Sequence, residues 1–325
     1  MMPLLRAASL ILTLTAVLLA ATGCKPAESD AQAPGPADAA VAATNETSDA
    51  ATGDPADAEP EPQAETEGAA TDAAAELDTP IEGNVITRSL PRFHDAFASD
   101  DEFRQWMESF YIHQEFERTP EAIGYYCSSQ LFESYESRVP MSAFFGGILA
   151  QSDETVDLCY DELSLEGRVA ELIMLGYAAW FANTEHSRDM IFQARQVWDH
   201  ESIKRMFNAI HISKIVDTLE RDPREDPRIA LMLWFEFFAT GDEERLRKVV
   251  GYAYMHTAPE GTWQRAAGQY SNAILTQVLP YDSLVRGVVE EQAVTSTSVA
   301  NANYLTRKLE EVGPLRPRPE ITPES

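Results

Sequence analysis

The stretch 229–239 holds Leu231, Leu233, Trp234, Phe235, Phe237 and Phe238 with one charged residue, Glu236. A helix apolar on nearly every side has to be covered on nearly every side. Whatever this chain folds into must therefore be built around that segment. Asp226-Pro227 opens it, Gly241 stops it, and Asp242 starts a partner helix through Leu246, Val249, Val250 and Tyr254.

Period-two alternation is nearly absent from the body of the chain, while helix starts recur. Ser99 with Glu102 resembles a capping box ahead of Phe103, Trp106, Met107, Phe110 and Tyr111. Thr119-Pro120-Glu121 predicts a helix running to about Phe132, and Val139-Pro140 another through Phe144, Phe145, Ile148 and Leu149. Ser152 caps a short helix with Val156, Leu158 and Cys159; Ser164 caps a longer one to about Phe181; Thr184 opens one to about Trp198. Further helices are expected over 264–279, 283–293 and 298–312. Sliding the chain by 57 residues lays 172–188 on 229–245, so that Tyr177 meets Trp234 and Trp180-Phe181-Ala182-Asn183 meets Phe237-Phe238-Ala239-Thr240. Both copies read as a buried helix, a tight polar turn and an amphipathic helix. Such hairpins bury little alone and must stack. The expected fold is all-α, stacked helical hairpins in a solenoid-like array or irregular bundle spanning 85–313, with an irregular Pro-rich tail over 314–325.

The first 84 residues read differently. Arg6 and the apolar run at 7–21 have the build of a secretory leader, shorter than the roughly 20 apolar residues a spanning helix needs. Leu18-Leu19-Ala20 leads into Ala21-Thr22-Gly23-Cys24, which resembles the lipobox of bacterial lipoprotein signal peptides, with Ala21 where Leu is commoner. The resemblance implies removal of residues 1–23, acylation of Cys24, and attachment to a membrane through that lipid, since several acyl chains anchor a protein stably where one is marginal. Lys25 rather than Asp after the cysteine implies the outer membrane, with the body in the periplasm or at the surface. Residues 24–84 are mostly Ala, Pro, Glu, Asp, Thr and Gly, without Phe, Trp, Tyr or Met. Such a segment buries too little to offset chain entropy and is expected to be a disordered acidic linker with a coil span of about 45 Å.

Of the chain's 53 acids and 25 bases the linker holds 15 acids and Lys25, and the leader holds Arg6, leaving the body 38 acids against 23 bases. A body of this sign disfavours nucleic acid and a docking face for anionic lipid. Cys127 and Cys159 form an even pair in an oxidising compartment and are expected as a disulfide, the alternative being two buried thiols. The histidines His94, His113, His186, His200, His211 and His256 make no HExxH and have no cysteine or paired acids at ligand spacing, so no metal and no cofactor is expected. No GxSxG, GxGxxG or Walker loop occurs. Asp157, Asp161 and Glu162 form an acidic cluster that could serve hydrolysis or be a solvated helix face. Asp242, Glu243 and Glu244 read as first-turn acids favoured by the helix dipole. Gly146-Gly147 lies inside an apolar helix and reads as close packing. Trp106, Phe110, Tyr111, Phe116, Tyr125 and Tyr126 read as core, with a groove as the alternative.

Tyr125-Tyr126, Ala143-Phe144-Phe145 and Leu233-Trp234-Phe235-Glu236-Phe237-Phe238-Ala239-Thr240-Gly241 resemble a family of exported, largely helical bacterial proteins with no established activity. The resemblance rests on core residues and implies a fold, not a site. The function expected is that of a membrane-anchored envelope lipoprotein whose helical domain binds or scaffolds an envelope protein. The alternatives are an envelope hydrolase working through Asp157, Asp161 or Glu162, and a carrier of an apolar ligand. A convergent polar cleft, a closed apolar cavity and an open groove would mark the hydrolase, the carrier and the scaffold respectively.

Overall fold

In the computed structural model the described residues are 93–319, apart from 94, 134, 165–167, 214 and 216. The expected leader, Cys24, the whole of the expected linker, His94 and the last residues of the tail lie outside them. Among the described residues the chain is all-α, with twelve α-helices, three short 3₁₀ turns and no strand. In order these are α1 (Asp100–His113), α2 (Thr119–Ser128), α3 (Tyr135–Leu149), α4 (Asp153–Leu163), α5 (Val169–Ala182) and α6 (Glu185–Val197). Then come α7 (Glu201–Ile212), α8 (Ile229–Thr240), α9 (Glu243–Val250), α10 (Trp263–Val278), α11 (Ser283–Thr295) and α12 (Val299–Val312). No helix among the described residues is long and apolar enough to cross a membrane.

The core is organised around α3, which packs against α5 on one side and α8 on the other. Two adjacent glycines permit this. A Cβ on Gly146 would lie 2.5 Å from the Phe181 Cβ and 2.9 Å from the Ala178 carbonyl oxygen; one on Gly147 would lie 2.8 Å from the Ala239 Cβ. Having no side chain there, α3 brings its backbone up to both neighbours at one level. The apolar helix foreseen at 229–239 is α8, and its Trp234, Phe237 and Phe238 are fully buried. It also touches α1, α9 and α10, while α5 touches α2, α4, α6 and α7. The α11–α12 hairpin stacks beyond α9.

The hairpins α5–α6 and α8–α9 therefore flank α3 as a pair, and their turns use the same device. Asn183 ends α5 with φ 53° and Gly241 ends α8 with φ 71°, both left-handed. The next residue in each case, Thr184 or Asp242, caps the returning helix with its side chain. These turns register at an offset of 58, not the 57 of the sequence match. The glycine contacts agree, since Ala178, Phe181 and Ala182 meet Gly146 where Glu236, Ala239 and Thr240 meet Gly147. Matching aromatics by type displaced the sequence alignment by one residue, because the packing equivalence follows backbone approach to the glycines.

Several helix boundaries also differ from expectation. Ser99 accepts from Glu102 N–H, but the Glu102 carboxylate reaches back to Ala98 N–H rather than to Ser99. Thr119 is not an N-cap. The 3₁₀ turn Phe116–Arg118 runs straight into α2, so Thr119 is already helical and its buried hydroxyl is unpaired. Pro140 lies inside α3, which begins at Tyr135. Ser164 closes α4 instead of opening α5, whose N-cap is Arg168. Helix α7, in a stretch where no helix start was read from the sequence, runs unbroken from Glu201 to Ile212.

Candidate functional site

Where the two hairpins turn beside α3, a cleft of about 250 Å³ opens. Gly146 and Gly147 form its floor with Ala143, and Ala150 stands exposed at its rim. Phe181, Ala182 and Asn183 line one wall. Glu236, Thr240, Asp242 and Arg245 line the other, and Ile215, Asp217 and Thr218 enter from the α7–α8 connection.

The polar groups converge on one guanidinium. Arg245 donates through Nε to Glu236 Oε2 (2.7 Å), through Nη2 to Asp217 Oδ1 (3.0 Å), and through Nη1 to Asp242 Oδ2. The second oxygen of Glu236 accepts from the Thr218 hydroxyl at 2.6 Å. Thr240 donates to the Glu236 carbonyl (2.7 Å) and accepts from Asp242 N–H (3.2 Å). On the rim, the Gln151 amide bridges α3 and α8 by donating to the carbonyls of Gly147 (2.8 Å) and Ala239 (3.0 Å). Burial pushes the Glu236 carboxyl above its ordinary value, and Arg245 and Thr218 pull it part of the way back. Burial opposes the charge on Arg245, but Glu236, Asp217 and Asp242 outweigh it and hold the guanidinium above its ordinary value.

Such a site can hold charge and hydrogen-bond a ligand. It is poorly arranged for proton transfer: both oxygens of Glu236 are occupied, and the Thr218 and Thr240 hydroxyls are both committed as donors.

A second buried acid, Glu108, lies on α1, which packs against α8. Glu108 Oε2 accepts from Arg318 of the tail at 2.9 Å, and nearby Tyr111 donates to both carboxylate oxygens of Asp282, at 2.9 and 2.8 Å. Burial raises the Glu108 carboxyl, against the pull of Arg318 and Arg104. The tail residues 314–319 contain no helix, as foreseen, yet Arg318 ties them to α1.

Of the residues singled out from sequence, Gly146, Gly147, Glu236 and Asp242 reach the cleft. Asp242 is an N-cap, accepting from Glu244 N–H at 2.8 Å, and a cleft acid as well. Cys127 and Cys159 are free buried thiols, on α2 and α4, and not the expected bridge; burial raises both thiols. Asp157 and Asp161 are exposed on α4, and Asp157 pairs with His186 at 2.8 Å. Neither they nor Glu162 line the cleft. The aromatic set is core. Trp106, Phe110, Tyr125 and Tyr126 are buried among Phe97, Phe103, Phe144 and Phe145, with Tyr111 and Phe116 packed against them. Among the described residues no group of three or more His, Cys, Asp or Glu has metal-binding geometry. Sequence reasoning did not single out Arg245 or Asp217. No family model, no curated protein and no solved structure matches the chain.

Proposed function

We propose that the chain is an exported lipoprotein, held in the outer membrane through acylated Cys24, whose helical body binds another envelope protein by receiving a basic side chain of that partner in the cleft. The supporting observation is the lining itself: Glu236, Asp217 and Asp242 stand against the single cation Arg245. An ammonium or guanidinium is the group such a lining favours, and charge-assisted bonds to it are the strong kind. Size selects a side chain over a whole small molecule. At about 250 Å³ the cleft falls below the roughly 300–1,000 Å³ of pockets that enclose drug-sized ligands. An apolar cargo would meet the same acids, which disfavours the carrier. A hydrolase would need a carboxyl free to move a proton, which this arrangement disfavours. The expected linker, about 60 residues long by the sequence reading, supplies reach to a partner standing off the membrane.

The test is site-directed photo-crosslinking in cells. A photoreactive residue at Asn183 or Ala150, on the cleft rim, is expected to join one envelope protein through a Lys- or Arg-bearing segment, and Glu236→Gln to reduce the yield. The same residue at Glu310, exposed on α12, is expected to give no such product. Equal crosslinking from Glu310, or no effect of Glu236→Gln, would overturn the assignment of the cleft.

A further inference from the structure

One irregular segment borders the cleft. Residues 217–228, the second part of the α7–α8 connection, contain no regular helix and place Asp217 and Thr218 in the cleft lining. This segment holds its own shape. Side-chain oxygens of Asp217, Asp222 and Asp226 accept the N–H groups of Leu219 (3.0 Å), Arg224 (2.9 Å) and Arg228 (2.9 Å). Pro223 and Pro227 fix the backbone after two of those acids. A segment folded on itself can move as a body, because its movement breaks only the ties to its surroundings.

The strongest of those ties are polar, and they run to the α8–α9 hairpin. Thr218, 2% exposed, donates to Glu236, and Asp217 accepts from Arg245. The Lys248 ammonium donates to the carbonyl oxygens of Leu219 and Arg221, the latter at 3.1 Å. Leu219 packs partly against the core, and the Arg224 guanidinium lies 5.8 Å from the Trp263 ring of α10.

We propose that residues 217–228 are a gate over the cleft, latched by Thr218–Glu236, Asp217–Arg245 and the Lys248 contacts, and that a basic group entering the cleft releases it by taking Asp217 from Arg245. This rests on the cleft being the binding site. The physical reason is competition: Asp217 is the only latch residue that belongs to the gate and carries the charge a basic ligand seeks. A second cation beside it gives it an alternative partner, and one of the three ties is lost.

The Arg221–Asp222 peptide bond reports the state of the gate, because the carbonyl that trypsin must reach is one that Lys248 holds. In the full chain, Thr218→Val and Lys248→Met are each expected to speed cleavage there about tenfold, the worth of one charge-assisted hydrogen bond. Amide exchange over 217–228 should quicken in step, with exchange in α3 and α8 unchanged. Saturating lysine amide should quicken exchange over 217–228 in the unaltered chain. Opening that occurs only together with exchange in α3 and α8 would overturn the gate, since the segment would then open only by global unfolding. Lysine amide that binds calorimetrically without altering exchange over 217–228 would overturn it too. Variants that open the segment while lysine amide fails to bind would uphold the latch and overturn the basic-ligand reading.

Discussion

Glu108 and Glu236 are each 8% exposed; Arg318 holds Glu108 at 2.9 Å with Arg104 at 3.9 Å, and Arg245 holds Glu236. Burial raises both carboxyls above the ordinary value of 4.5. The folded chain then binds these protons more tightly than the unfolded chain does. Stability from each site is accordingly greatest below pH 4.5 and falls as pH rises from there through the raised value. Other acids impose slopes of their own, so the measurement is a difference. Unaltered chain minus Glu108→Gln, by urea denaturation, is expected to fall as pH rises above 4.5, and Glu236→Gln to behave alike. Arg318→Ala should steepen the Glu108 slope by leaving that carboxylate with one less cation, and should cost about 1–3 kcal/mol at neutral pH. A difference that stays flat or rises with pH would contradict this account. At this scale the site was half legible in the sequence. Glu236 stands out as the single charge in the most apolar helix, and Asp242 as a cap. Arg245 and Asp217 do not, because their pairing joins positions 28 residues apart across an irregular connection.

Between elements, the closest approach is that of α3 to its two neighbours. Ala at 146 or 147 would gain up to about 1 kcal/mol of helix propensity over Gly. The new Cβ would meet the Phe181 Cβ at 2.5 Å or the Ala239 Cβ at 2.8 Å, contacts too short to be kept. Overpacking of this kind costs about 1–3 kcal/mol, so Gly146→Ala and Gly147→Ala should each lower the thermal midpoint. Gly287 has nothing within 4 Å of an added Cβ, and Gly287→Ala should leave the midpoint unchanged or raise it. A rise for either cleft-floor variant would contradict the packing account. Most of the helical architecture was legible because Ser152, Thr184, Asp242 and Ser298 cap in the structure as their local sequence indicates. Boundaries failed where the local signal serves another end. Ser164 follows a helix as readily as it precedes one, and the 3₁₀ turn before Thr119 continues into α2. Helix α7 was missed because His200, its N-cap, makes no side-chain capping bond and so leaves no recognisable start.

For the whole molecule, two hairpins placed alike about a glycine-bearing helix create the cleft at their turns. The flanking copies differ where it matters chemically. At the offset of 58, Ala178 stands where Glu236 does and Ser187 where Arg245 does, so one wall is uncharged and the other charged. On the proposed reading that asymmetry turns a packing repeat into a binding surface, which the proposed lipid anchor and acidic linker would present to partners in the envelope. The most direct measurement is a calorimetric titration of the full chain with lysine amide, beside norleucine amide as its counterpart lacking the ε-ammonium. The account predicts saturable binding of lysine amide, at least about tenfold weaker in Glu236→Gln and in Asp217→Asn, and none comparable for norleucine amide. Equal binding of the two amides, or lysine amide binding untouched by both substitutions, would contradict it.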